Sequence, residues 1–216
     1  MVHEKPTPSE DQEPKCQDRI ILSLGVLFFF LIGVESFFHS QTYTFGLCGP
    51  LKLSSATAGY LNGIYFAPYL IGRLVSVPLS TVVTPTVITL AAIMGCVISA
   101  LILATFGAID VLALFIATGS MGFFGSFLFG SGINWLNGNV KNMSSRELAF
   151  IFVGCNLANC LFPALASKLF NDYGPVTVFY LTLACYCGLF LCFCSMIFAS
   201  KCQRNERQST SVLTSA

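Results

Sequence analysis

Charge is what this sequence has least of. Only 10% of its 216 residues are Asp, Glu, Lys or Arg, against about a quarter in an ordinary soluble domain. Charge this sparse does not cover a water-facing surface. The formal net charge is +1, so no basic or acidic excess points to nucleic acid or to an acidic partner. Histidine is nearly absent, with two in the chain, His3 and His39. No phosphate-cradling glycine loop, HExxH helix or GxSxG elbow occurs. An enzyme is therefore not expected, nor a metal, nor any cofactor beyond a coupling ion.

What the sequence does have is apolar surface. It is 55% hydrophobic and carries 21 phenylalanines. Between Ile20 and Asp110 the charged residues are Glu35, Lys52 and Arg73 alone. A helix needs roughly 20 mostly apolar residues to cross a bilayer. Six segments qualify: about 20–43, 57–79, 85–106, 111–134, 148–170 and 176–199. Turn and charge signals break them at Cys48 to Lys52, Thr84-Pro85, Gly107 to Asp110, Lys141 to Glu147 and Asn171 to Pro175. The expected fold is an all-α membrane protein of six transmembrane helices in residues 19–200, in contact with the lipid bilayer. Residues 1–18 and 201–216 are Pro-rich, charged or polar, and read as disordered cytosolic tails. The first of these has no apolar stretch of the kind a signal peptide requires.

Six spans put both ends of the chain on one side of the membrane. That side holds Lys5, Lys15, Arg19, Lys141, Arg146, Lys201, Arg204 and Arg207, and the other holds Lys52 and Lys168. The excess of Lys and Arg assigns the first side to the cytosol. The sequon at Asn142 falls on that side and is expected to be unused. The plasma membrane is the default location. The ten cysteines fall mostly inside spans or on the cytosolic side, where thiols stay reduced. They read as small apolar filler.

Against this apolar background the polar residues stand out. A carboxylate at bilayer depth costs about 2.5–3.5 kcal/mol or more, so it should face the protein interior. Glu35 lies about 22 Å into span one at 1.5 Å per residue, and His39 follows one turn later on the same face. Ser36, Ser40, Gln41, Thr42 and Tyr43 continue the polarity. One reading is the wall of a hydrated cavity, with Glu35 holding a cation, a proton or a sugar hydroxyl. The other is a hydrogen bond between helices. Span two carries Asn62, Tyr65, Tyr69, Gly72 and Ser76 along one face. An amide with phenolic hydroxyls suits a neutral polyol, whose C–H faces the rings would cover; plain helix packing is the alternative. Arg73 either snorkels to the inner surface or pairs with a carboxylate. Asn156 and Asn159 on span five either line a pathway or join helices. Gly119, Gly122, Ser126 and Gly130 make a small-residue stripe on span four that favours close helix packing. Trp135 at the end of that span reads as an interfacial anchor.

Four stretches occur in a familiar order: GVESFFHSQTYTFG (33–46), YLNGIYFAPYLIGRLVSVPLS (60–80), GSFLFGSGINWLN (125–137) and FPALASKLFNDYGPVTVFYL (162–181). Together they resemble the C-terminal six-helix half of the major facilitator superfamily, in the branch of sodium-dependent glucose transporters and fucose permeases. The resemblance implies two pseudo-symmetric six-helix halves with the substrate at the midplane between them. It implies that Glu35, Asn62, Tyr65, Asn156 and Asn159 face a central cavity, and that Arg73 lies near the cytosolic gate. The function it implies is alternating-access transport of a hexose-type sugar, coupled to Na+ or H+. The partner would be a second six-helix half or another copy of this chain. The competing expectation is a non-transporting six-span protein that binds or regulates a membrane partner.

Overall fold

The computed structural model describes residues 12–139 and 145–214. The sequon at Asn142 and the first eleven residues lie outside them. Six helices follow in order: α1 (Gln12–Cys48), α2 (Ser55–Val82), α3 (Pro85–Phe106), α4 (Val111–Asn139), α5 (Ser145–Tyr173) and α6 (Thr177–Thr214). The third coincides with the span read from hydropathy, and the others outrun theirs. The largest differences are at the two ends. The stretches 12–18 and 201–214, read as disordered tails, are helical in α1 and α6. They are rich in Gln, Glu and Arg, which favour helix without needing lipid.

Local chemistry explains the boundaries. Ser54 caps α2 by accepting a hydrogen bond from the Thr57 amide at 3.2 Å. Thr84 precedes α3, whose first residue is Pro85, where a missing N–H costs nothing. Gly174 ends α5 with φ +92°, the left-handed conformation glycine supplies without strain. Its amide donates back to the Phe170 carbonyl at 3.0 Å.

Among the described residues five helices are long and apolar enough to cross a membrane: those containing Leu22–Cys48, Pro85–Phe106, Val111–Gly138, Leu148–Tyr173 and Thr177–Phe198. The sequence suggested six spans. At 28 residues α2 is long enough, but Asn62, Tyr65, Tyr69, Arg73 and Ser76 lower its apolarity. Its polarity is thus concentrated on the stripe that the sequence assigns to a site.

Helices α1, α2, α4, α3 and α6 close a ring of pairwise contacts, with α5 packed against α1 and more lightly on α6. Aromatic side chains fill the ring. Phe28, Phe37, Phe38, Phe45, Phe179, Tyr186 and Phe193 are buried. Phe45 of α1 meets Phe179 of α6 with ring centroids 4.3 Å apart. Trp135 also belongs to this core. It is 4% exposed and packs edge-on against Phe193 at 5.9 Å, so it is a bundle residue rather than the surface anchor its position suggested.

The glycine stripe sets how closely α2 and α4 approach. A Cβ on Gly122 would collide with the Tyr65 backbone carbonyl, and one on Gly72 with Ser126 and the Phe123 carbonyl. Gly119 faces Ile64 and Pro68. The packing role read for the stripe holds for Gly119, Gly122 and Ser126. Gly130 has open space beside it and takes no part.

Candidate functional site

The candidate site residues read from the sequence lie on α1, α2 and α5. They do not form one cluster. A first group joins α1, α2 and one face of α4. A second joins α1 to α5.

Glu35 anchors the first group. Its Oε1 is buried and has no hydrogen-bond partner among the described residues. It points at Gly125 of α4, where a Cβ would lie 3.1 Å from this oxygen. A side chain at 125 would thus crowd the carboxyl. Arg73 stands one helical turn further along α4. Its guanidinium donates from Nη2 to the Tyr69 hydroxyl at 2.6 Å. It lies 5.1 Å from the centre of the Tyr69 ring and 5.9 Å from that of Phe129, so cation–π attraction holds it on both sides. Residues 125 and 129 are four apart and share a face of α4.

The expectation for Arg73 was snorkelling or a carboxylate partner. Within the described residues it makes neither contact: a phenol and two rings hold it. Among the described residues no ion pair joins Glu35 and Arg73. The directions of the side chains explain why they approach at all. Helical side chains lean toward the N-terminus of their helix. The two helices run antiparallel, so Glu35 and Arg73 lean toward each other's level.

Tyr65, Tyr69 and His39 surround this group unequally. Tyr69 is half-buried, and Tyr65 is 2% exposed. Tyr65 packs against Phe38 at 5.8 Å, Phe66 at 5.2 Å and Tyr69 at 6.0 Å. It therefore supports Tyr69 and offers no free face of its own. Positions 65 and 69 are separated by about 40° around the helix, enough to turn one ring inward and leave the other at the rim. His39 is half-buried, with its ring 6.3 Å from Tyr65 and 5.5 Å from Phe66. Asn62 stands one turn beyond on α2. Its Oδ1 is buried with no hydrogen-bond partner among the described residues, as is Oγ1 of Thr118 on α4.

The second group was legible only in part. Ser36 donates to Oδ1 of Asn159, and Gln41 donates to the Ser167 hydroxyl at 2.8 Å. These bonds tie α1 to α5. Asn159 therefore acts as a helix joint. Asn156 is exposed and turns back to its own helix, donating to the Phe152 carbonyl at 2.8 Å. Neither asparagine meets Glu35. The sequence reading missed Gln41–Ser167, Gly125 and Phe129. The signal for Phe129 was its four-residue spacing from Gly125.

Two apolar hollows lie elsewhere. One, of about 500 Å³, runs between α2 and α4 along Ile64, Pro68, Gly119 and Phe123. The other, about 340 Å³, lies between α1 and α6 along Val26, Phe30, Cys185 and Gly188. Neither includes the polar residues. Among the described residues no group of His, Cys, Asp and Glu is placed to hold a metal ion, and the eight described cysteines are free.

A ring of apolar helices with a polar wall on α1 and α2 defines a helical membrane protein. No family model matches the chain. Among curated proteins it is similar to major facilitator superfamily domain-containing protein 4A of Mus musculus, with 22% identity over 195 residues, 90% of this chain and 37% of that protein. The corresponding protein of Pongo abelii is 23% identical over 155 residues, 72% of this chain and 30% of its own length. Sodium-dependent glucose transporter 1 of Homo sapiens is 25% identical over 164 residues, 76% of this chain and 31% of that protein. The chain thus spans about a third of the length of the curated relatives it matches. These relatives agree with the resemblance drawn from the motifs, and the apolar helices together with them support an integral, multi-pass membrane protein.

Proposed function

We propose that this chain forms one half of a secondary transporter for a hexose-type sugar, working by alternating access and coupled to an ion gradient. The observation that carries the reading is the pair of buried, unpartnered acceptors on neighbouring helices, Glu35 Oε1 and Asn62 Oδ1. An unpartnered buried oxygen costs about 1–3 kcal/mol, and a structural joint would not leave two. A polyol supplies the missing O–H donors. Tyr69 stacks on Tyr65 and carries the Arg73 guanidinium over its ring, so it positions that cation at the wall, and His39 closes the wall beyond it. Arg73 contributes N–H donors that the Tyr69 bond leaves over. Tyr65 backs the wall from the core, and Asn159 joins α1 to α5 outside it.

The chain supplies one wall of the cavity. The other is proposed to come from a second six-helix half, in a longer chain or in another copy. The Lys and Arg balance of the loops supports cytosolic termini. The name of one relative, a sodium-dependent glucose transporter, supports a hexose as substrate.

Equilibrium binding of labelled glucose to the purified chain in lipid nanodiscs tests the reading. Saturable binding displaced by unlabelled hexose, and weakened by Glu35→Gln and Asn62→Leu, is the expected result. Folded protein that binds no hexose overturns it.

A further inference from the structure

Arg73 is a cation held inside the bundle by neutral groups. A guanidinium at membrane depth is ordinarily kept by reaching the headgroups or by meeting a carboxylate. Arg73 lies nine residues before Val82, the last residue of α2, about 14 Å along the axis. Its guanidinium folds back one turn onto Tyr69, toward the middle of the helix and away from that end. The surrounding helices offer little negative charge. Helices α3 and α4 contain no Asp, Glu, Lys or Arg, and α1 from Leu22 to Cys48 contains Glu35 alone. Among the described residues that carboxyl is not bonded to the arginine.

The guanidinium is placed before any ligand arrives. One of its N–H groups donates to the Tyr69 hydroxyl at 2.6 Å. The Tyr69 ring lies 5.1 Å away and the Phe129 ring 5.9 Å away. Gly72, next in the chain, lets α2 approach α4 closely at Ser126 and the Phe123 carbonyl, which fixes the two supports relative to each other. A guanidinium has five N–H donors, and those not bonded to Tyr69 have no partner among the described residues. Arg73 is half-buried, so these donors are within reach of a ligand.

We propose, resting on the transporter reading above, that the preferred ligand of this wall is an acidic sugar, a hexuronate, whose carboxylate accepts two N–H bonds from Arg73. The wall asks for both kinds of group in one molecule. Glu35 Oε1 and Asn62 Oδ1 are acceptors that sugar hydroxyls satisfy. The spare N–H groups of Arg73 are donors whose planar fork matches a carboxylate. A phosphate also fits such a fork, but it carries about −1.5 to −2 charge at neutral pH. Arg73 is the lone Lys or Arg of the wall, and a single positive charge balances a single carboxylate.

Equilibrium binding of labelled glucuronate and labelled glucose to the chain in lipid nanodiscs tests this. Glucuronate is expected to bind at least about tenfold more tightly than glucose, the size of one hydrogen bond to a charged group. Its methyl ester, which keeps the shape and loses the charge, should fall to within about threefold of glucose. Arg73→Gln should bring the glucuronate-to-glucose ratio close to one. The ester comparison uses the wild-type chain, so it decides the matter even where Arg73→Gln does not fold. Equal affinity for glucuronate and glucose, an ester that binds as tightly as the acid, or a preference that survives Arg73→Gln overturns the proposal. Tighter binding of glucose 6-phosphate than of glucuronate overturns it too. Glucose binding without the acid preference sinks this proposal alone, whereas folded protein that binds neither sugar sinks the transporter reading with it.

Discussion

Glu35 of α1 and Arg73 of α2 stand over the same face of α4, one helical turn apart, the first at Gly125 and the second at Phe129. An acid and a base stand on adjacent helices of the bundle, and among the described residues they are not paired. The arginine is retained by Tyr69 at 2.6 Å, and the carboxyl is left with a bare acceptor. The gap between them is the feature that a ligand or an ion exchange explains.

Gly125 is predicted to be a position where bulk removes function before it removes the fold. A Cβ there lies 3.1 Å from Glu35 Oε1, a movable atom, whereas a leucine side chain would occupy the carboxyl's own space. Gly125→Leu should weaken hexose binding at least about tenfold, equivalent to about 1.4 kcal/mol. Gly130→Leu, which has open space beside it, should leave binding within about twofold, a few tenths of a kcal/mol. Binding isotherms for the two variants decide it.

Gly122 should behave in the opposite way. A Cβ there meets the Tyr65 backbone carbonyl, which cannot rotate aside. Gly122→Val is expected to force α2 and α4 apart at a cost of about 1–3 kcal/mol, the usual penalty for overpacking. Thermal unfolding in detergent should show a clear fall in midpoint, with Gly130→Val as the unaffected control.

Tyr69→Phe removes the hydroxyl that holds Arg73 and keeps the ring beneath it. The lost bond is expected to cost between about 0.6 and 1.7 kcal/mol, the range measured for hydrogen bonds inside membranes. The freed guanidinium should then move toward Glu35. Chemical cross-linking between cysteines placed at 32 and 70 reads any change in the approach of α1 and α2. An unchanged stability would show that the rings alone hold the arginine.

The Ser36–Asn159 bond is predicted to be a joint and not part of the ligand site. A double-mutant cycle of Ser36→Ala and Asn159→Ala should return a coupling of about 0.6 kcal/mol in stability, with hexose binding unchanged in each variant. A loss of binding in Asn159→Ala with stability retained would move Asn159 into the site.

Much of this was legible in the sequence, and the limits have physical causes. The six helices and most of their breaks follow from hydropathy and turn residues, and α3 matches its span. Helix ends were the weak point, because Gln, Glu and Arg continue α6 to Thr214 where polarity suggested a tail. Glu35, Asn62, Tyr69 and Arg73 were visible because a polar residue costs so much at that depth. What periodicity does not give is the rotation of each helix about its axis. That rotation turned Tyr65 inward, sent Asn156 back to its own helix and buried Trp135. It also brought Gly125 and Phe129, which look like packing residues on a linear chain, over the two charges.

The central claim is tested most directly by uptake of labelled glucose into proteoliposomes bearing this chain, under an imposed proton gradient and, in parallel, a sodium gradient. The account predicts accumulation driven by one of the two gradients and abolished by Glu35→Gln. Gradient-driven accumulation that Glu35→Gln leaves intact would contradict it.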